Sequence, residues 1–112
     1  MSECLFCWIA QRELPADIVT EDRETVAFKD INPQAPTHVL IIPKTHVPRL
    51  SDLAPSTAPL VTNLVTTANA VAKEAGLTDY RLVINCGPQA GQSVFHLHVH
   101  LLGGRPMRWP PG

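Results

Sequence analysis

The sequence predicts an α+β fold: an antiparallel sheet of about five strands, one long covering helix and a short N-terminal helix. Three observations predict this fold. Five short segments are apolar enough for strands, and turn-forming residues or prolines separate them. One longer segment carries apolar residues at helical spacing. With 112 residues, 45% of them hydrophobic, the chain has the size of a single domain, residues 1–112.

The N-terminal half contains the short helix and three strands. The predicted elements are a helix over residues 4–13, strands over 18–21, 25–30 and 38–42, and a fixed proline-rich loop over 32–36. The helix ends before Leu14-Pro15, and Pro43 stops the third strand, because proline interrupts regular backbone hydrogen bonding.

The strongest helix signal begins near Thr57. Ser56 or Thr57 can cap this helix, Pro59 fits its first turn, and Gly76 can end it. The apolar residues of this segment form a wide stripe that must pack against another surface. They are Leu60, Val61, Leu64, Val65, Ala68, Val71, Ala72 and Ala75.

Two strands, residues 80–85 and 93–102, complete the sheet. The glycine-bearing turn at 86–92 joins them, and such a short connection favours an antiparallel hairpin. Successive side chains of a strand point to opposite faces, so the second strand divides into two sets. One set consists of His96, His98 and His100; the other consists of Leu97, Val99 and Leu101, which can anchor the strand in the core.

Composition excludes several functional classes. The formal net charge of −1 lacks the basic character that binding to nucleic acid requires. The N-terminus has no basic region followed by an apolar run, so no signal peptide is predicted. No apolar stretch approaches the roughly 20 residues that span a bilayer. Three cysteines do not make a disulfide framework, and we expect a cytoplasmic protein that binds neither nucleic acid nor membranes.

The histidine row can carry phosphoryl chemistry. Neighbouring imidazoles would lie about 6.5–7 Å apart along a strand. A neutral imidazole can attack phosphorus and leave again, provided that one ring nitrogen donates to a carbonyl and the other is free. His98, the central member, is the natural nucleophile, and a backbone carbonyl nearby could fix its tautomer. Two other interpretations stay open: a three-histidine zinc site, and a strand that is merely rich in histidine.

The turn before the histidines can hold an anion. Gly87 and Gly91 permit close approach of the backbone, and the N–H groups of Gly91, Gln92 and Ser93 could cradle phosphate oxygens. In a regular strand, however, the Ser93 side chain falls on the face opposite the histidines. It reaches the same site only if a bend redirects it.

The chain resembles the histidine triad (HIT) superfamily, and its Hint branch in particular. Residues 96–102 match the signature His-φ-His-φ-His-φ-φ, in which φ is apolar, at every position. The resemblance extends to Asp30–His38, Ile42–His46, Gly91–Phe95 and the closing Trp109–Gly112. It spans nearly the whole chain, and the long helix is its least diagnostic part.

The resemblance implies a hydrolase that cleaves the P–N bond of purine nucleoside 5'-phosphoramidates. His98 would attack the α-phosphorus and give a nucleotidyl-histidine that water then hydrolyses. His100 and His38 would contact the phosphate, and Ser93 would hold its oxygens and the leaving group. With His96, these residues form the implied catalytic set. The family also has a bent entry into the strand, which brings Ser93 to the site.

The resemblance further implies a purine nucleotide site. Asp30 would accept the ribose hydroxyls, because a carboxylate suits two vicinal donors. Asn85 and the turn residues Gly91, Gln92 and Val94 would lie near the phosphate, although Asn85 could be a strand-end cap. Apolar residues would surround the purine, although any one of them could equally be core. They are Leu5, Phe6, Ile9, Leu14, Ile18, Phe28, Ile31 and Leu40.

The resemblance implies a homodimer that pairs through the long helix and a strand edge, with the tail from Arg105 to Gly112 reaching the partner's site.

His100, where nucleotidyltransferase relatives have glutamine, favours a hydrolase. Alternatives are a dinucleoside polyphosphate hydrolase, a nucleotide-binding or scaffold protein with incidental hydrolysis, and a zinc hydrolase using the triad.

The Cys4-Leu5-Phe6-Cys7 motif could be a redox pair, two unrelated thiols or half of a zinc site. A redox motif should open a helix in a βαβ unit, which the chain lacks. Tetrahedral zinc needs four ligands, and His46 and His96 could complete the set. The resemblance supports this set, since several bacterial-type members of the family with this motif bind zinc there. Such an ion would be structural, and we expect catalysis itself to need no cofactor. Cys86 reads as a small buried residue.

Overall fold

The computed structural model describes residues 4–112 and has the predicted α+β fold. Two helices and five strands follow one another along the chain. They are α1 (Leu5–Ala10), β1 (Ile18–Glu21), β2 (Thr25–Lys29), β3 (Thr37–Pro43), α2 (Pro59–Glu74), β4 (Tyr80–Val83) and β5 (Val99–Gly103). The strands form one sheet in the order β1-β2-β3-β5-β4, and every neighbouring pair is antiparallel.

The sheet is covered on both faces because its central strands alternate between two apolar clusters. In β3, Val39 and Ile41 face α2, whereas Leu40 and Ile42 face the α1 side. Helix α2 packs across β2, β3 and β5 and buries one side of its apolar stripe. Its buried residues are Leu64, Ala68, Val71 and Ala72, all from the predicted set.

Helix α2 begins two residues later than predicted. Neither Ser56 nor Thr57 caps it; the N-cap is Ala58 without a side-chain hydrogen bond, and Pro59 occupies the first turn. The Thr57 hydroxyl instead bonds the backbone of Ala54. The predicted end at Gly76 is confirmed, because this glycine has a φ of 75° and follows the C-cap.

The last strand is much shorter than predicted. We expected residues 93–102, but the ladder runs only over Val99–Gly103. In the register that pairs Ile41 with Val99, Leu97 would stand opposite Pro43, which has no N–H to donate. The Leu97 N–H instead donates to the Val47 carbonyl at 2.6 Å. Residues 93–98 therefore follow an irregular path, and the strict alternation of faces begins only at Val99.

The other boundaries shift less. The first helix spans Leu5–Ala10 rather than residues 4–13, since Arg12 just after it has a left-handed φ of 64°. Strand β4 ends at Val83, two residues before the predicted end. The predicted antiparallel pairing of the last two strands is confirmed as β4–β5, but the connection between them spans residues 84–98 rather than the short turn predicted at 86–92. Within residues 4–112, no helix is long and apolar enough to cross a membrane.

Candidate active site

A cavity of about 350 Å³ opens on the face of the sheet that carries α1. Its walls come from α1 and the segment after it, from the end of β2, from the middle of β3, and from β5 with the irregular segment before it. The lining residues are Leu5, Phe6, Ile9, Leu14, Pro15, Ala16, Phe28, Lys29, Asp30, Ile31, Leu40, Ser93, Val94, His98 and His100. Most of the residues expected around a purine nucleotide are thus brought together in one apolar pocket with a polar end.

Four of the residues expected around the nucleotide do not line this cavity: Ile18, Asn85, Gly91 and Gln92. Two residues of the expected catalytic set, His38 and His96, do not line it either. Ile31 lines it only at the mouth, since its side chain is fully exposed. Pro15, Ala16 and Lys29 line it without having been anticipated. Lys29 directly precedes Asp30, and this adjacency is the one signal by which the sequence could have indicated Lys29.

His98 is held in one tautomer. It is buried, and its Nδ1 lies 2.7 Å from the His96 carbonyl oxygen, so Nδ1 carries the proton and donates it. The other ring nitrogen, Nε2, therefore keeps its lone pair. Because the ring also lines the cavity, this arrangement leaves a nucleophilic nitrogen next to the pocket.

His38 and His100 form a second ordered pair beside it. The Gln34 backbone N–H donates to His38 Nδ1 at 3.0 Å, so the His38 proton is on Nε2. This Nε2 lies 2.9 Å from His100 Nδ1 and 3.4 Å from Asp30 Oδ2. Donation from His38 to His100 leaves the His100 proton on Nε2, where it can bond an oxygen of a bound anion. The rings of His98 and His100 are 5.0 Å apart, closer than a regular strand predicts.

Burial keeps these imidazoles neutral. It lowers the pKa of His98 and of His38 below the ordinary value of 6.5. For His100, burial and then the neighbouring His98 and His38 lower the pKa to about 4. A neutral ring is the form that can act as a nucleophile, so the site is in its reactive protonation state near pH 7.

The turn at residues 87–92 leads into Ser93 and Val94, which line the cavity. Gly91 has a φ of 103°, and a side chain there would come within 3.3 Å of the Asn85 amide. The buried Gln92 side chain accepts from the Gly87 N–H and donates to the Pro48 and Val94 carbonyls. The hydrogen bonds of the Gln92 side chain therefore stabilise the turn from within. Ser93, which follows Gln92 on the irregular segment, lines the cavity.

His96 lies away from the other two histidines of the motif. Its Nε2 lies 2.7 Å from the Pro43 carbonyl, and its Nδ1 lies 3.2 Å from Cys4 Sγ and 3.5 Å from Cys7 Sγ. His46 joins the same group, with Nδ1 3.1 Å from His96 Nδ1. The motif is therefore divided: His98 and His100 face the pocket, and His96 completes a group that we call the cysteine–histidine cluster (Cys4, Cys7, His46 and His96).

The cysteine–histidine cluster fits a tetrahedral zinc ion. With Zn–N near 2.0–2.1 Å and Zn–S near 2.3 Å, neighbouring ligand atoms of such an ion are about 3.3–3.8 Å apart. The contacts of the two imidazole nitrogens within the cluster measure 3.1–3.5 Å. Burial lowers the pKa of His96 to about 4, so its Nδ1 offers a lone pair at neutral pH. Two sulfurs and two imidazoles are a preferred donor set for structural zinc.

Comparison with known proteins places these features in a family. The HIT domain family matches residues 11–107. An uncharacterized HIT-like protein of Synechocystis is 53% identical over 98% of this chain and 97% of its own length. A 14 kDa zinc-binding protein of Zea mays is 50% identical over 99% of this chain and 89% of its own length. The crystal structure of a HIT family hydrolase from Legionella pneumophila superposes with a TM-score of 0.96 at 51% identity, covering 98% of this chain and 100% of the other.

Proposed function

This chain belongs to the HIT domain family, and from that premise we propose that it hydrolyses the P–N bond of purine nucleoside 5'-phosphoramidates. The observation that carries the proposal is the tautomer of His98. Its Nδ1–H is donated to a carbonyl and its Nε2 is free, beside an apolar cavity that Asp30 and Ser93 also line; a covalent nucleophile on phosphorus needs this arrangement.

In the proposed reaction, His98 Nε2 attacks the α-phosphorus and the bond from phosphorus to the amine nitrogen breaks. The departing nitrogen takes up one proton from solvent water, because the Nε2–H groups of His38 and His100 stay bonded to His100 Nδ1 and to the phosphate oxygens. Water then attacks phosphorus and releases one proton to solvent, the P–Nε2 bond breaks, and the nucleoside monophosphate leaves with His98 restored. During both steps Ser93 and His100 Nε2–H would donate to the phosphate oxygens.

The test is steady-state hydrolysis of a fluorogenic adenosine phosphoramidate and of a dinucleoside polyphosphate, each with and without a chelator. We expect rapid, chelator-insensitive turnover of the phosphoramidate and much slower cleavage of the polyphosphate. The reverse preference would support the sister activity. Tight nucleotide binding with negligible turnover of either substrate would support a binding or scaffold protein, and loss of activity with the chelator would support a zinc hydrolase.

Asp30 is proposed to bind the ribose hydroxyls, because its carboxylate lines the cavity beside the apolar purine walls. We expect Asp30→Ala to lower kcat/KM for an adenosine phosphoramidate about 10- to 100-fold, as loss of a hydrogen bond to a charged group does. The 2'-deoxy substrate should lose much less. The measurement, made for each variant, is the ratio of kcat/KM for the ribose substrate to kcat/KM for the 2'-deoxy substrate. Asp79→Ala, which removes an exposed carboxylate away from this cavity, is the matched control. An unchanged ratio in Asp30→Ala would remove Asp30 from ribose recognition.

The cysteine–histidine cluster is proposed to hold a structural zinc ion. The ion would tie the N-terminal segment to the sheet without entering the reaction, since His98 Nε2 serves as nucleophile. Protein purified without added zinc should contain about one equivalent by elemental analysis. Less than about a tenth of an equivalent would contradict the zinc assignment and favour free thiols.

We also propose that the protein is a cytoplasmic homodimer that acts on a purine nucleotide substrate. Strand β4 ends the sheet with an unpaired edge, and Trp109 in the tail is 82% exposed, as expected if both meet a second copy. None of its three cysteines forms a disulfide within residues 4–112, which suits a reducing compartment. Light scattering should give twice the mass of the chain; a monomer at micromolar concentration would contradict the dimer.

A further inference from the structure

We propose that metal occupancy of the cysteine–histidine cluster sets the affinity of the nucleotide pocket by positioning Phe6 and His98. The inference rests on the proposed function in that the pocket takes a purine nucleotide. It makes His46 a positioning residue, although His46 is not among the residues that line the pocket.

The cluster holds the first turn of a helix that is too short to be stable alone. Helix α1 has six residues, whereas isolated helices shorter than about 12 residues are marginal in water. Cys4 is its N-cap and accepts the Cys7 N–H at 3.2 Å. Both thiols contact His96, so ligation at Cys4 and Cys7 would attach this helix to the segment before β5.

Phe6 lies between these two cysteines and connects the cluster to the reactive end of the pocket. It is 5% exposed and lines the cavity. Its ring meets the His98 ring edge-on at 5.1 Å, the His96 ring at 6.1 Å and the Phe28 ring at 5.4 Å. A shift of α1 would therefore remove one wall of the pocket and also the aromatic contact of Phe6 with the His98 ring.

A second route runs through the backbone. The carbonyl that fixes the His98 tautomer belongs to His96, whose ring is a cluster member. The Leu97 N–H donates to the Val47 carbonyl, one residue beyond His46. Ligation of His46 and His96 to one ion would thus join two loops that together hold the His96 carbonyl. Coupling between two binding sites of one protein typically changes affinity about 5- to 150-fold.

The experiment measures AMP affinity by calorimetry for zinc-loaded and zinc-stripped protein. Removing zinc from the wild type should weaken AMP binding about tenfold, and His46→Ala should do the same even when zinc is supplied. His46→Cys keeps a fourth ligand, so its zinc-loaded form should bind AMP like the wild type. Thr45→Ala, an exposed neighbour outside the cluster, is the matched control and should change nothing.

A second readout follows the nucleophile directly and needs no nucleotide. In ¹⁵N-edited NMR the His98 Nδ1–H, protected by its bond to the His96 carbonyl, should give a slowly exchanging signal in zinc-loaded protein. The signal should be lost from stripped wild type and from His46→Ala, and restored in zinc-loaded His46→Cys.

Equal AMP affinity in zinc-loaded wild type and folded, zinc-free His46→Ala would overturn the proposal. So would an unchanged His98 signal in stripped protein. If removal of zinc unfolds the chain, zinc-loaded His46→Cys still tests the proposal. A tenfold loss of AMP affinity in that variant would contradict a role for the ion itself. If zinc-loaded wild type binds no AMP at all, the proposed function fails, whereas the NMR signal still tests the positioning of His98.

Discussion

Replacing His98 with alanine is expected to lower kcat for phosphoramidate hydrolysis by roughly 10⁴-fold or more, the scale seen when a covalent nucleophile is removed. The pocket has no second nitrogen in the same position, because His100 Nδ1 accepts from His38 and His96 belongs to the cysteine–histidine cluster. AMP affinity should change little, since the apolar walls and Asp30 persist. Single-turnover kinetics and AMP titration of the same preparation provide the two measurements.

Imidazole rescue supplies the control for this substitution. Free imidazole can enter the space vacated in His98→Ala and attack phosphorus in place of the side chain. Turnover should therefore rise with imidazole concentration in His98→Ala and stay constant in the wild type. Residual activity within tenfold of wild type, with AMP binding intact, would exclude His98 as the nucleophile.

Leu101→Ala is expected to lower the free energy of unfolding by about 2–5 kcal/mol, the usual cost of removing a fully buried leucine side chain. Leu101 has no exposed surface and lies on central strand β5, opposite Val39 and Leu82. Its side chain belongs to the cluster that α2 covers. His100 directly precedes Leu101 and lies on the other face of the sheet, so strand β5 also supports the site. Urea unfolding gives the change in free energy.

Leu102→Ala is the matched control for this prediction. Leu102 is the next residue of the same strand, points to the other face and is only half-buried. Leu102→Ala should therefore lower the free energy of unfolding clearly less than Leu101→Ala does. Equal losses from both substitutions would contradict the assignment of Leu101 to the core between sheet and helix.

Periodicity predicted most of the fold. The apolar stripe of α2 and the stop at Gly76 could be read locally, because helix spacing and a left-handed glycine depend on few neighbours. The length of β5 could not. Its start at Val99 depends on Pro43, which is remote in sequence and lies opposite Leu97 in the register. A run of alternating residues alone contains no information about that partner.

The site was predicted less completely for the same reason. Alternation predicted three histidines around one ligand, but the irregular segment before β5 separates His96 from His98 and His100. The resemblance to the family anticipated the four cluster residues, whereas their spacing did not. The contact of Phe6 with both His96 and His98 joins the two ends of the chain, and no local pattern indicated it.

The most direct test of the central proposal is to trap the intermediate. Wild-type protein is mixed with excess adenosine phosphoramidate, quenched within one turnover, and its peptides are examined by mass spectrometry. We predict an adenylyl group on His98, absent from His98→Ala and present with or without chelator. Product release in that first turnover without any adduct, or an adduct on another residue, would contradict covalent catalysis by His98.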